Sequence, residues 1–270
     1  MPAIPATTVA NLRDLGPTPL ADGRVVRPGL LLRSGQLDRM DATADPAVAA
    51  LGITTVFDFR TEGERRARPD RLPPGTRVLA ADVLADFLAS GTVPAAARLR
   101  EVLGDPAAAE RELGGGRAHA LFADTYRAFV STESARRGYG AFLRALAEPD
   151  AGTVLFHCTA GKDRTGWAAA VVLGLLGADE DTVEAEYLSV NPAVRQAFAP
   201  LVEGFTAQGG DPEIALTVVG VTPDYLAAAR SEMTRHHGSL ERYVRDGLGV
   251  GDATVARIRA RLTGPAGRDW

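Results

Sequence analysis

Phe156-His157-Cys158-Thr159-Ala160-Gly161-Lys162-Asp163-Arg164-Thr165-Gly166 holds the only cysteine and the only lysine of a 270-residue chain. Every other basic side chain is an arginine or a histidine, so one short stretch pairs the sole thiol with the sole ammonium. Before it, Gly152 to His157 is a β-branched and apolar run that reads as a buried strand. After it, Trp167 to Leu176 is apolar on every face, and Gly177 is placed to end a helix. The expected order is strand, tight loop, buried helix.

A loop that opens a helix turns several unpaired backbone N–H groups into one concavity, and the helix dipole adds partial positive charge there. An anion fits such a place. At the loop's entrance Cys158 has the helix terminus, Arg164 and Lys162 to favour its thiolate. Arg164, once the chain curls back over the loop, presents a planar fork able to hold two oxygens of a phosphate, which a lysine cannot do.

Rival readings of the loop fail on single residues. A nucleotide-binding loop needs Ser or Thr directly after the lysine, and Asp163 stands there. A zinc site needs more soft ligands than one Cys beside one His. The single cysteine excludes a redox Cys-x-x-Cys pair.

His157-Cys158-x5-Arg164-Thr165 resembles the signature of the protein tyrosine phosphatase superfamily, and the fuller string through Gly166 is similar to that of the bacterial PtpB-type phosphatases. Further stretches match in order: Asn11 to Gly16, Arg33 to Leu37, Leu51 to Arg60, Glu186 to Asn191 and Gly238 to Tyr243. The resemblance spans nearly the whole chain. It implies one phosphatase domain over residues 1–270: an α/β phosphatase core with a small, largely parallel sheet flanked by helices, and a helical C-terminal part. Residues 191–221 are the candidate lid, with Gly209-Gly210 as its hinge; periodicity alone leaves lid and scaffold open.

The implied chemistry is hydrolysis of phosphate monoesters without a cofactor or metal. Cys158 attacks phosphorus to form a phosphocysteine, while Arg164 and the amides of Thr159, Ala160, Gly161 and Lys162 stabilise the phosphoryl oxygens. Thr165 helps the sulfur leave. Asp163 is the first choice of proton donor because a short loop keeps it near the leaving oxygen. Asp58 is second, and Asp82 and Asp86 follow.

Each residue also has a plainer reading. Asp163 fixes loop amides or Arg164; Asp58 is structural, with Arg60 as ion-pair or phosphate-facing partner; Lys162 faces water; His157 braces the loop. His119, His236 and His237 read as surface or helix residues, and Phe122, Tyr126 and Phe129 as core. Lys162 widens the substrate range from phosphotyrosine to phosphoserine, phosphothreonine and phosphoinositides, since related lipid phosphatases carry a lysine here. A phosphate-binding protein without turnover is the alternative, disfavoured by the intact Cys158, Arg164 and loop acid. Sulfur transfer leaves the Lys162 to Thr165 pattern unexplained, and arsenate reduction needs further thiols.

A formal charge of −4 and a 24% charged fraction give no reason to expect nucleic acid. Trp167 to Leu176 is too short to span a bilayer, so no stable membrane insertion is expected. One cysteine and no secretory signal in Met1 to Pro5 suggest the cytoplasm, with non-classical export left open.

Along the rest of the chain, Gly23 to Val26 and Leu30 to Leu32 read as an edge hairpin. Ile53 to Phe59 and Arg77 to Ala80 read as strands, separated by a polar stretch from Thr61 to Gly75. Ala81 to Gly116 reads as an inserted helix and flexible connection. Helices are expected over 118–130, 135–147, 181–189, 192–207 and 223–236.

Overall fold

A computed structural model describes residues 3–89 and 104–267. In chain order it runs β1 (Arg13–Asp14), β2 (Arg24–Val26), β3 (Leu31–Ser34), α1 (Pro46–Ala49), β4 (Ile53–Asp58), α2 (Glu62–Ala67), β5 (Arg77–Ala80) and α3 (Ala85–Ala89). Then come α4 (Pro106–Leu113), α5 (Arg117–Ser131), α6 (Glu133–Leu146), β6 (Thr153–His157), α7 (Asp163–Leu176), α8 (Glu180–Leu188) and α9 (Asn191–Ala207). The chain closes with α10 (Pro212–Val219), α11 (Pro223–His237), α12 (Leu240–Arg242) running on as a π-helical turn, α13 (Asp252–Leu262) and β7 (Thr263–Pro265).

The central sheet has five strands in the order β1-β3-β6-β4-β5. All neighbours in it are parallel except β1, which runs antiparallel to β3. Here β6 occupies the middle, as its uninterrupted apolar sequence requires: a strand covered on both faces has no polar side to spare. Side chains still alternate between the faces. Val154 and Phe156, with Leu31 and Phe57 beside them, enter the larger core under the helices, while Leu155, Leu32 and Val56 enter a smaller one on the other face. In the larger core Phe142 packs on Phe156 at 4.8 Å between ring centroids and on Phe59 at 5.3 Å.

The expected edge hairpin does not form. Instead β2 pairs antiparallel with the C-terminal β7, and β3 lies inside the sheet between β1 and β6. Every residue of β3 is buried, and an edge position would leave that apolar strand half uncovered. The C-terminal partner lies too far along the chain for local pattern to suggest it.

Gly177 ends α7 as expected, in the left-handed region at φ 100°, with its N–H on the Leu173 and Gly174 carbonyls. The five expected helices appear within a residue or two of their predicted ends. Within the stretch read as a polar connection, α2 forms. Of the stretch from Ala81 to Gly116, residues 90–103 lie outside the described residues, and α3 and α4 flank them. No helix among the described residues is long and apolar enough to cross a membrane.

Candidate active site

The loop 158–162 joins the C-terminal end of β6 to the start of α7, where open α/β sheets bind ligands. Its carbonyls are held from outside. Asn11 Nδ2 donates to the Ala160 and Gly161 oxygens at 3.2 and 3.1 Å, and Arg33 Nη2 to Gly161 O at 2.8 Å. The Gln36 amide takes the Thr159 oxygen at 3.0 Å. In a planar trans peptide the C=O and the following N–H point in opposite directions. Anchoring these three carbonyls outward therefore turns the amides of Ala160, Gly161 and Lys162 inward.

Gly161 makes the bend possible. Its φ is 70°, and a Cβ there would stand 2.3 Å from the Ser34 oxygen. Behind the loop, Arg33 is fully buried and bound by both Glu186 oxygens at 2.7 Å. That ion pair ties α8 to the loop's outer wall. Nearby, Arg13 Nη1 reaches Ser189 Oγ at 2.6 Å.

Cys158, 2% exposed, faces the larger core side of the sheet. Arg164, in the first turn of α7, is equally closed in. Its guanidinium is held by a residue the sequence reading missed. Glu64 accepts from Nη1 at 2.7 Å and from Nη2 at 2.8 Å. The Thr159 hydroxyl also donates to Glu64.

Glu64 is itself placed by a capping box at the start of α2. The Glu64 amide donates to Thr61 Oγ1 at 3.2 Å, and the Thr61 amide to Glu64 Oε2 at 2.8 Å. Burial opposes the charge on Glu64, yet Arg164 and Thr159 hold its carboxyl far below the usual range. Arg164 is driven the other way, its cation favoured by Glu64 against the cost of burial. The pattern Thr61-x-x-Glu64 is a legible helix start; the partner 100 residues away is not.

Lys162 lies buried, neither facing water nor lining an open floor. Its Nζ contacts Asp163 at 2.9 Å and the Gly220 carbonyl at 3.0 Å, and sits 4.7 Å above the Phe122 ring. Asp163 also accepts from Tyr126 Oη at 3.2 Å, and Tyr187 donates to Tyr126 at 2.7 Å. Burial, with Tyr187 and Asp163 adding to it, pushes the Tyr126 hydroxyl well above its usual range and keeps it a donor. Thr165 is wholly buried and its hydroxyl has no hydrogen-bond partner among the described residues.

Asp58 and Arg60 do not join this group. Register explains why: Asp58 pairs with His157 and Phe57 with Phe156, so Asp58 projects to the face opposite Phe156 and Cys158. There Arg60 chelates Asp58 at 2.8 to 3.0 Å and contacts Asp70 at 2.8 Å. Asp58 and Arg60 thus spend their charges on each other behind the sheet. Asp58, Asp70 and His157 could together face a cation, but the Arg60 guanidinium already supplies that charge.

The remaining acids also have local work. Asp82 accepts from the Leu84 amide at 2.9 Å, and Asp86 accepts from the Ser134 amide at 2.7 Å at the start of α6. Among the acids proposed as proton donors, Asp163 is the one that directly follows the loop, at the start of α7.

The segment 191–221 leaves and rejoins the body at one point. Asn191 mimics a backbone pair, giving Nδ2 to the Val221 oxygen at 3.0 Å and taking the Val221 amide on Oδ1 at 2.9 Å. Gly209 and Gly210 lie instead at the α9–α10 corner, where a Cβ on Gly210 would strike the Phe205 ring at 2.4 Å. A cleft of about 250 Å³ separates α9 from the loop, lined by Ala197 and Phe198 on one side and Thr159 and Ala160 on the other. Arg39 and Arg68 also line it.

Cys158 thus heads an amide-lined loop, with Arg164 from the following helix turn beside it. The chain belongs to the tyrosine phosphatase family, whose model matches residues 4–264. It is 36% identical to the triple specificity protein phosphatase PtpB of Mycobacterium tuberculosis, over 94% of this chain and 96% of the relative. It is 27% identical to a tyrosine-protein phosphatase of Nostoc commune, over 93% of this chain and 79% of that one. The protein is accordingly a phosphoric monoester hydrolase of the tyrosine phosphatase type.

Proposed function

We propose that the protein hydrolyses phosphotyrosine, and with it phosphoserine, phosphothreonine and phosphoinositide monoesters, through a phosphocysteine intermediate. The observation that carries this reading is the loop itself: three carbonyls anchored outward, the amides turned inward, and Arg164 fixed by Glu64 beside Cys158. The Cys158 thiolate attacks phosphorus, the P–O bond to the leaving group breaks, and Asp163 gives that oxygen a proton. Water then attacks the phosphocysteine, Asp163 takes its proton, and the S–P bond breaks to release inorganic phosphate. The inward amides and the Arg164 guanidinium compensate the phosphoryl charge in both steps. Thr165, whose buried hydroxyl has no partner among the described residues, donates to the departing sulfur.

The substrate range follows from the similarity to a triple specificity phosphatase. The partners are a phosphorylated protein or a phosphoinositide; nucleic acid has no place here. The chain works as one domain in the cytoplasm, with residues 191–221 as its lid, pivoting at the Asn191–Val221 clasp.

The test is p-nitrophenyl phosphate turnover in the presence of chelator, with vanadate as inhibitor and Cys158→Ser as control. Acid-quenched reactions of wild type should trap phosphate on Cys158. Turnover surviving in Cys158→Ser would overturn the mechanism, and tight phosphate binding without turnover would favour the binding-protein alternative.

A further inference from the structure

The cleft between α9 and the catalytic loop opens beside the Arg164 guanidinium. Thr159, which lines it, has its hydroxyl 3.4 Å from Arg164 Nη2 and bound to Glu64, the carboxylate that grips the same guanidinium. A group in the cleft therefore stands next to whatever Arg164 holds, within reach of one and the same molecule.

The charge of the cleft is one-sided. Arg39 and Arg68 line it against a single acid, Asp38. Arg68 takes that acid at 3.2 Å, whereas Arg39 is exposed and has no hydrogen bond or ion pair among the described residues. Ala193 and Val194, in the first turn of α9, bring the positive end of a 17-residue helix to the same place. The wall around Thr7 and Thr8 is fixed by Asp45, which accepts their amides at 2.7 and 2.9 Å. An anion fits here.

The remaining lining decides which anion. Val9, Val194, Ala197 and Phe198 make one side of the cleft apolar. Its volume of about 250 Å³ would hold about eight waters at roughly 30 Å³ each, more than a lone carboxylate fills. An inositol ring carries a hydroxyl or a phosphate on every carbon, and against these residues several of them would lose water without gaining a partner. A peptide meets both demands: an acidic side chain for the arginine and an apolar neighbour for Val194 and Phe198.

We infer that this cleft reads an acidic side chain, with an apolar one beside it, on a phosphotyrosine peptide, and that Arg39 selects it. The inference rests on the proposed phosphotyrosine hydrolysis and adds a preference among peptides. Arg39 touches no reacting atom. Its effect belongs to binding, hence to KM, and weakens as salt rises, as for any exposed ion pair.

The experiment is steady-state kinetics on phosphotyrosine peptides, alanine elsewhere, with a single glutamate moved through each position on either side, using wild type, Arg39→Glu and Arg39→Lys. At one or two positions glutamate should raise wild-type kcat/KM by about two- to fivefold over the alanine peptide, through KM. Arg39→Glu should abolish that preference and favour lysine at the same position, and Arg39→Lys should keep most of it. All three proteins should turn over p-nitrophenyl phosphate equally, since it is too small to extend into the cleft. A scan that is flat in wild type, or a preference that survives Arg39→Glu, would overturn the inference. So would Arg39→Glu slowing a soluble inositol bisphosphate relative to a monophosphate while leaving the peptide scan unmoved, because the cleft would then hold a second phosphate. If no protein turns over p-nitrophenyl phosphate, the proposed function falls alone, and fluorescence polarisation of the same peptides, labelled, reads the preference without turnover.

Discussion

Glu64 and Arg164 stand 100 residues apart in the chain and meet through two parallel charge-assisted hydrogen bonds of 2.7 and 2.8 Å. Such a fork-to-fork pair fixes the guanidinium plane as well as its position. In the proposed mechanism Arg164 meets a tetrahedral anion in one orientation, so Glu64 governs the geometry of the cradle without belonging to the loop.

Replacing Glu64 by Gln keeps one acceptor and turns an amide NH₂ against the guanidinium. The kcat for p-nitrophenyl phosphate should fall by about ten- to a hundredfold, or ~1.4–2.7 kcal/mol of transition-state stabilisation. KM should move less. Steady-state kinetics on a variant shown to be folded by circular dichroism checks this, and an unchanged kcat would mean that the loop alone orients Arg164.

The same pair makes stability depend on acid. Glu64 has a carboxyl lowered in the fold and returns to about 4.3 when unfolded. Its contribution is therefore complete above that unfolded value and is lost as pH falls through the folded one. Asp70, also lowered, acts in the same direction. Urea unfolding between pH 6 and pH 3 should show wild type losing stability faster than Glu64→Gln, so that the gap between them narrows. A gap independent of pH would show that the carboxylate adds nothing through its charge.

Asp163 and Asp58 should separate cleanly in kinetics. Asp163→Asn should cut turnover of alkyl phosphates by about 10²–10⁴-fold and that of p-nitrophenyl phosphate much less, because a good leaving group needs no proton. Asp58→Asn should leave this leaving-group dependence intact while lowering the melting temperature, since it removes the charge that chelates Arg60 in a buried site. The reverse pattern would move the acid to the other face of the sheet.

Lys162 links the catalytic loop to the end of the 191–221 segment through the Gly220 carbonyl. Lys162→Met keeps the bulk over Phe122 but loses both polar contacts, each worth about 1.5–3 kcal/mol to a charged donor. Amide exchange over residues 212–221 should speed up in this variant while exchange in β6 stays slow. Equal protection in both proteins would show that the segment is held elsewhere.

Much of this site is legible in the order of residues. A β-branched run, a glycine-bearing loop and an all-apolar helix can hardly be anything but a central strand feeding a buried helix, because no other arrangement covers so many apolar side chains at once. Gly177 and Pro223 mark helix boundaries through backbone constraints that act within a few residues. The hairpin failed for the opposite reason: Val26 and Thr263 are register partners from the two ends of the chain, and no local pattern names a distant strand.

The sequence by itself determined that Cys158, Asp163 and Arg164 stand together, since they share one loop and its helix start, and covalent spacing already brings them close. Only the tertiary structure decided what surrounds them. Sheet register turned Asp58 and Arg60 away from Cys158; packing of α2 against the loop brought in Glu64; the return of the chain at Gly220 closed over Lys162. Each of these depends on which elements lie side by side, a choice made by burial over the whole domain rather than by any stretch of chain.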